Sequence, residues 1–245
     1  MDYAAYKLPV KEKLKWITLY MLLAFLIGYL FYGAIPVGLL GLPALPFYLR
    51  QKTKEAGEQR RQKLLIEFRD LILSYSHSLK AGYSIENGFR EGYKDLKWQY
   101  KEDDLIMEEC RQIIGKMENK HSLEELITDL GVRSGVEEII DFASVFSVAK
   151  KTGGNLPAII SDTGIKISDK LAVKEEIELM FAAKRFEQKI MNCIPLFMMS
   201  YIGLGTPGYF DPLYGNAAGI AIMTASLILY AAAYFLAQKI MEIRI

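Results

Sequence analysis

The sequence predicts an all-α, polytopic membrane protein with two transmembrane hairpins flanking one cytoplasmic helical bundle. Three observations carry that prediction. Residues 16–49 and 190–236 contain no lysine or arginine. The segment between them, 50–189, is densely charged and repeats its apolar residues at helical spacing. Basic residues flank both apolar segments and are missing from the turn inside each.

The whole-chain averages conceal this division. Thirty Lys and Arg against 29 Asp and Glu leave a net charge of +1, and charged residues make up 24% of the chain. A soluble protein could share those values, so the reading has to be local. The near balance of charge argues against nucleic acid as the main partner, because phosphate binding usually shows as an excess of Lys and Arg. Cys110 and Cys193 lie far apart, one in the charged segment and one in an apolar run. That pattern suggests neither a disulfide framework nor a metal site.

Residues 1–15 read as a cytoplasmic N-terminal segment carrying Lys7, Lys11, Lys13 and Lys15. No small-residue cleavage site ends the apolar run that follows, so no cleavable signal peptide is expected. As one helix, 16–49 would be about 50 Å long against a hydrocarbon core of about 30 Å. Gly33-Ala34-Ile35-Pro36 divides it into a first span, 16–32, and a second, 35–49. Pro36, Pro43 and Pro46 should leave the second span short, bent or partly re-entrant. Arg50, Lys52, Lys54, Arg60, Arg61 and Lys63 follow it, so the positive-inside rule places both flanks in the cytoplasm.

The C-terminal hairpin, 190–236, repeats the plan. A third span, 190–206, leads into a turn-rich loop, 207–216, with one acid and no base. A fourth span, 217–236, precedes a cytoplasmic tail, 237–245, with Lys239 and Arg244. Both termini are therefore expected in the cytoplasm, in a multi-pass protein of the cell (inner or cytoplasmic) membrane. Gly215 and Gly219 form a small-xxx-small pair that ordinary membrane glycines also produce. Pro195 is expected to kink the third span or mark its entry into the membrane.

Within 50–189, Leu64, Phe68, Leu71, Ile72, Tyr75 and Leu79 form an amphipathic stripe. Gly82 reads as the C-cap of that helix and Ser84 as the N-cap of the next. Ser122 with Glu125, and Ser134 with Glu137, read as capping boxes. A further helix, from Val136 to about Lys151, stops at Gly153-Gly154. Asn155 then caps a helix beginning at Leu156, with Pro157 in its first turn, that runs about 35 residues into the third span. The expected domain is a bundle of five or six helices without strands.

Signatures of chemistry are absent. His77 and His121 have no partners at ligand spacing. Gly153-Gly154 lacks the Lys-Ser/Thr of a phosphate-binding loop, and neither Gly-x-Ser-x-Gly nor His-Glu-x-x-His occurs. Adjacent acids such as Glu108-Glu109 and Glu175-Glu176 point to different helix faces. Catalytic residues, cofactor and metal ligands are therefore all expected to be none, and the chain to be no enzyme.

Two motifs and the membrane frame carry a resemblance. Leu79-Lys80-Ala81-Gly82-Tyr83-Ser84-Ile85 follows the first cytoplasmic helix, and Thr152-Gly153-Gly154-Asn155-Leu156 precedes the long helix into the membrane. In these turns and in its layout the chain resembles the type II secretion system F family of inner-membrane platform proteins. It is most similar to the single-domain Tad/Flp pilus branch (TadB- and TadC-like members). The resemblance implies a non-enzymatic platform of a type IV pilus or type II secretion machine, coupling a cytoplasmic ATPase to pilin subunits. It implies a homo-oligomer or a sister platform protein as well, since larger members carry two copies of the cytoplasmic domain and one is visible here. Gly82, Ser84, Gly153, Gly154, Asn155 and Leu156 are then family-motif turns, as helix caps, partner contacts or both, with Pro195 as a helix kink. The alternative is a membrane-anchored scaffold accessory to signalling or transport.

Overall fold

The computed structural model describes residues 9–153, 155–206 and 208–241. The described chain is helical, with no strand among these residues. It consists of α1 (Val10–Tyr32), a 3-10 helix (Ile35–Ala44), α2 (Leu45–Lys80), α3 (Ile85–Leu96), α4 (Leu105–Glu118), α5 (Leu123–Ser134), α6 (Glu137–Thr152), α7 (Leu156–Gly205), α8 (Asp211–Tyr214) and α9 (Ala217–Met241). Two compact units share these elements, one holding residues 52–173 and the other 9–51 with 174–241. Helices α2 and α7 contribute residues to both.

Two helices are long and apolar enough to cross a membrane, Val10–Tyr32 and Ala217–Ile240, with mean hydropathies of 1.8 and 2.0. The segments read as the second and third spans take other forms. Apolar residues 35–49 are divided between the 3-10 helix and the start of α2. Pro36 and Pro43 supply no N–H, so a regular α-helical ladder cannot run through this stretch. Residues 190–205 are the last turns of α7, whose 50 residues pass Pro195 without a break.

In the membrane-type unit, backbone meets backbone. Glycine 33 closes α1 in the left-handed region (φ 64°), donating its N–H to Tyr29 O. The chain then doubles back so closely that a Cβ on Gly38 would lie 2.7 Å from Ala24 O, and one on Gly28 2.6 Å from Gly38 N. Only glycine fits at that crossing. Tyr20 donates to Gly41 O at 2.6 Å, and the Trp16 and Tyr20 rings both pack on Tyr48. Leu30, Phe31 and Met223 form the small buried core where α1 meets α9, and the Tyr32 and Thr224 hydroxyls bond at 2.9 Å. Gly219 has a packing reason of its own, since a Cβ there would lie 2.4 Å from Leu213 O.

The charged unit is a bundle of α3 to α6 with the adjoining parts of α2 and α7. The stripe on α2 is its spine: Leu64, Phe68, Leu71, Ile72, Tyr75 and Leu79 are all buried. Around it Phe68 meets Phe142 edge to face, Tyr75 meets Phe89, and Phe142 stacks on Phe146. Each such ring removed from water contributes about 1.5–3 kcal/mol. Helix α3 approaches α2 closely because a Cβ on Gly92 would sit only 3.1 Å from Tyr75 N.

The caps agree with the sequence in two places and differ in one. Ser122 Oγ accepts from Glu125 N at 3.2 Å, and Asn155 Oδ1 accepts from Ala158 N at 3.3 Å. Ser134 is no N-cap: it is the last residue of α5, Gly135 follows in the left-handed region, and Val136 caps α6. Its hydroxyl instead donates to Gly131 O and accepts from Val136 N. With only Gly135 and Val136 between the two helices, the left-handed exit takes the place a serine cap would need.

The hairpin crossing yields a test. Gly38→Ala should destabilise the detergent-solubilised chain by about 1–3 kcal/mol, the usual cost of overpacking. Gly41→Ala, whose Cβ would meet side-chain atoms alone, Tyr20 Oη at 3.4 Å and Ala24 Cβ at 3.6 Å, should change little. Equal melting temperatures for the two variants would contradict the backbone contact.

Candidate functional site

The two motif turns lie at one end of the charged unit. Gly82 follows α2 with φ 92°, its N–H donating to Leu79 O, while Tyr83 N donates to Ser78 O. Ser84 holds the extended conformation of an N-cap, but its carbonyl rather than its side chain makes the bond, to Gly88 N at 2.7 Å. Gly153 ends α6 in the left-handed region (φ 68°), and Gly154 lies outside the described residues. Asn155 caps α7, and Leu156 packs against the main core. Ser76 Oγ donates to Pro157 O, and Lys80 Nζ to Ser161 Oγ at 2.9 Å. These bonds tie the end of α2 to the start of α7. They place Gly82 and Ser84 at the same end of the unit as Gly153, Asn155 and Leu156. Pro195 belongs to the other unit.

Beside the second turn, α6 and α7 diverge to leave a groove of about 700 Å³. Exposed Val145 and Val148, with Ala149 and Ile159, give it an apolar lining. Its far end is crossed by a 2.6 Å ion pair between Lys170 and Glu138, and Lys166 pairs with Asp162 along its side. The hydrogen bond from Lys170 to Glu138 raises the lysine pKa and so keeps it charged. Such a groove can take apolar side chains of a partner helix while its paired charges stay in water. The sequence hides it, because Lys170 and Glu138 are 32 positions apart with nothing linking them. The available signal is Val145 and Val148, apolar residues outside the buried α6 stripe of Ile139, Phe142, Phe146 and Ala149.

A second exposed patch lies at the C-terminal end of α3 and in the turn that follows. Trp98 is 91% exposed, and the Lys97 ammonium sits 5.0 Å from the centre of the Tyr93 ring. Large exposed aromatics beside cations are the residue types that anchor protein interfaces.

Two buried carboxylates stiffen the unit. Arg133 grips Glu109, 1% exposed, through two bonds of 3.1 and 2.7 Å, and reaches Asp129 with Nε at 2.7 Å. Burial of such a pair adds little stability, but losing one partner costs about 3–5 kcal/mol. Glu67 is buried under the start of α4, where Oε2 accepts from Ile106 N at 2.9 Å. Its other oxygen accepts no hydrogen bond and has Lys63 Nζ 3.5 Å away. It supplies the N-terminal cap that Asp104, whose side chain pairs with Lys63 at 2.7 Å, does not give α4. Burial raises the Glu67 pKa, against the lowering effect of the Ile106 N–H and Lys63. Among the described residues no three His, Cys, Asp or Glu converge on a metal site. Cys110 is fully buried, and burial pushes its thiol pKa up, away from the reactive thiolate.

Comparison with models of known families, with curated proteins and with solved structures gives no match to this chain. The geometry alone therefore carries the functional reading.

The Glu67 environment fixes a pH dependence. A carboxyl whose folded pKa exceeds its unfolded value of 4.5 contributes stability that is complete below that value. This contribution is lost as pH rises through the folded pKa. Glu67→Gln keeps an acceptor for Ile106 N and removes the titration. Thermal melts of the full chain from pH 4 to 8 should show the variant gaining on the parent as pH rises. The gain should reach about 1.4 kcal/mol for every pH unit that separates the folded from the unfolded pKa. A constant difference would contradict the assignment.

Proposed function

We propose that this chain is a non-enzymatic platform of the cell membrane. In it the helical unit receives a cytoplasmic assembly ATPase, and the apolar hairpins engage pilin subunits of a type IV (Tad/Flp-like) pilus or type II secretion machine. The observation that carries the reading is the convergence of both motif turns at one end of the unit, beside an open apolar groove. Two apolar helices, α1 and α9, support a membrane location. On this reading the 35–49 and 190–206 segments complete two hairpins, and both termini lie in the cytoplasm with the 50–189 domain. A second copy or a sister protein supplies the rest of the platform.

Topology and coupling can be tested separately. In a Cys193→Ser background, Ala34→Cys and Asn216→Cys should react with a membrane-impermeant maleimide in intact cells. Lys97→Cys should react only after permeabilisation. Labelling of Lys97→Cys in intact cells would reverse the topology.

For coupling, the full chain should bring down a P-loop ATPase, and its deletion should abolish surface filaments. Val148→Lys, which puts a charge on the exposed groove wall, should reduce ATPase recovery about tenfold or more without lowering the melting temperature. That factor corresponds to about 1.4 kcal/mol or more of binding free energy. Copurification with a solute carrier or sensor kinase instead would establish the accessory-scaffold alternative.

A further inference from the structure

One acidic residue interrupts the two apolar segments: Asp211 is the sole Asp, Glu, Lys, Arg or His in residues 16–49 and 190–238. It lines a cavity of about 460 Å³ built by α1, the end of α7 and the segment running into α8. The other conspicuous lining groups are aromatic: Tyr29 from α1, with Tyr209, Phe210 and Tyr214. Tyr209 and Phe210 stand edge to face with ring centres 5.2 Å apart, and Phe210 and Tyr214 are 6.0 Å apart. The Tyr214 ring is fixed from two sides. Its hydroxyl donates to Leu30 O at 2.6 Å, and Gly33 lies so close that a Cβ there would come within 2.7 Å of the ring. No described Lys or Arg pairs with Asp211.

We propose that this cavity binds an organic ammonium group, that of a zwitterionic lipid headgroup. The faces of aromatic rings are electron-rich and attract cations at exposed sites too, and Asp211, Tyr29 and Tyr209 are all exposed. A carboxylate among them adds a full negative charge, which disfavours anions. An alkylammonium is favoured over a small metal ion because its apolar substituents gain from ring contact. The cavity volume falls in the range of small-molecule sites, about 300–1,000 Å³.

The lipid source follows from position. The cavity takes in Tyr29 and Gly33 at the C-terminal end of α1. The N-terminal half of α9 meets the same end through the Tyr32–Thr224 bond. Both helices have the length and apolarity of membrane spans, so their shared end falls at headgroup depth. The inference rests on the membrane part of the proposed function and is independent of the ATPase partner.

Native mass spectrometry of the purified full chain tests it, using phosphatidylethanolamine, phosphatidylcholine and phosphatidylglycerol of matched chain length. The ammonium-bearing lipids should be retained about tenfold over phosphatidylglycerol, the scale of one or two cation–π contacts with an ion pair. Asp211→Asn should bring the ratio below about twofold with the melting temperature unchanged. Tyr209→Ala should reduce the ratio, and Tyr209→Phe should preserve it. Stripping of bound phosphatidylcholine by excess choline chloride would support the ammonium as the recognised group. Equal retention of all three lipids, or an undiminished ratio in Asp211→Asn, would overturn the proposal. So would calorimetric binding of free choline without any lipid preference, which would assign the site to a soluble cation. Loss of ATPase recovery with the lipid ratio intact would sink the platform reading alone.

Discussion

Helices α1 and α9 are long and apolar enough to cross a membrane, and if the two apolar segments lie in hydrocarbon as proposed, their backbone N–H and C=O groups must find partners within protein. In hydrocarbon each unsatisfied group costs several kcal/mol. Helices α1 and α9 meet the demand internally. Residues 35–44 cannot, because Pro36 and Pro43 remove donors, and the chain answers with a 3-10 helix packed on α1. Carbonyls in these segments also accept from tyrosine hydroxyls: Gly41 O from Tyr20, Leu30 O from Tyr214, and Asn192 O from Tyr230, each at 2.6 Å. Tyrosine suits this work because its ring packs against apolar neighbours while its tip donates one bond.

The charged unit solves the opposite problem. Water satisfies its surface, so its organisation depends on which faces are apolar, and the α2 stripe decides that. Five aromatic rings gather around it, from α2, α3 and α6. Against this core the two buried carboxylates are costly and therefore specific. Glu109 requires Arg133 in one geometry, and Glu67 requires the first turn of α4 in one register. A bundle held by greasy contacts alone could slide. These bonds single out one arrangement, which a surface offering a groove to a partner needs.

Local features are legible in the sequence and long-range ones are not. The α2 stripe, the Ser122 and Asn155 caps and the Gly82 and Gly153 stops each depend on residues within four positions of one another. Ser134 misleads because its spacing to Glu137 matches a capping box, while Gly135 one position later carries the stronger signal for a helix end. The form of 35–49 is only half legible: its prolines announce an irregular segment, but nothing in the pattern specifies a ten-residue 3-10 helix. The groove, the Glu67 cap of α4 and the Arg133–Glu109 pair join residues 24 to 39 or more positions apart, beyond the reach of any periodicity.

Asp211 shows how far charge placement alone can be taken. In the sequence it is one acid in a turn-rich loop, consistent with simple solvent exposure. The fold brings Tyr29, about 180 positions earlier, to the cavity that Asp211 lines, beside Tyr209, Phe210 and Tyr214. Asp211 is itself exposed, and solvation of an acid calls for no rings, as an interfacial aromatic belt calls for no acid. Their coincidence in one cavity is explained by neither requirement alone. A ligand that carries positive charge and apolar surface together, as proposed, would account for it. The second unit would then keep its lysines and arginines outside the apolar segments, with a single carboxylate among rings where the helices turn back.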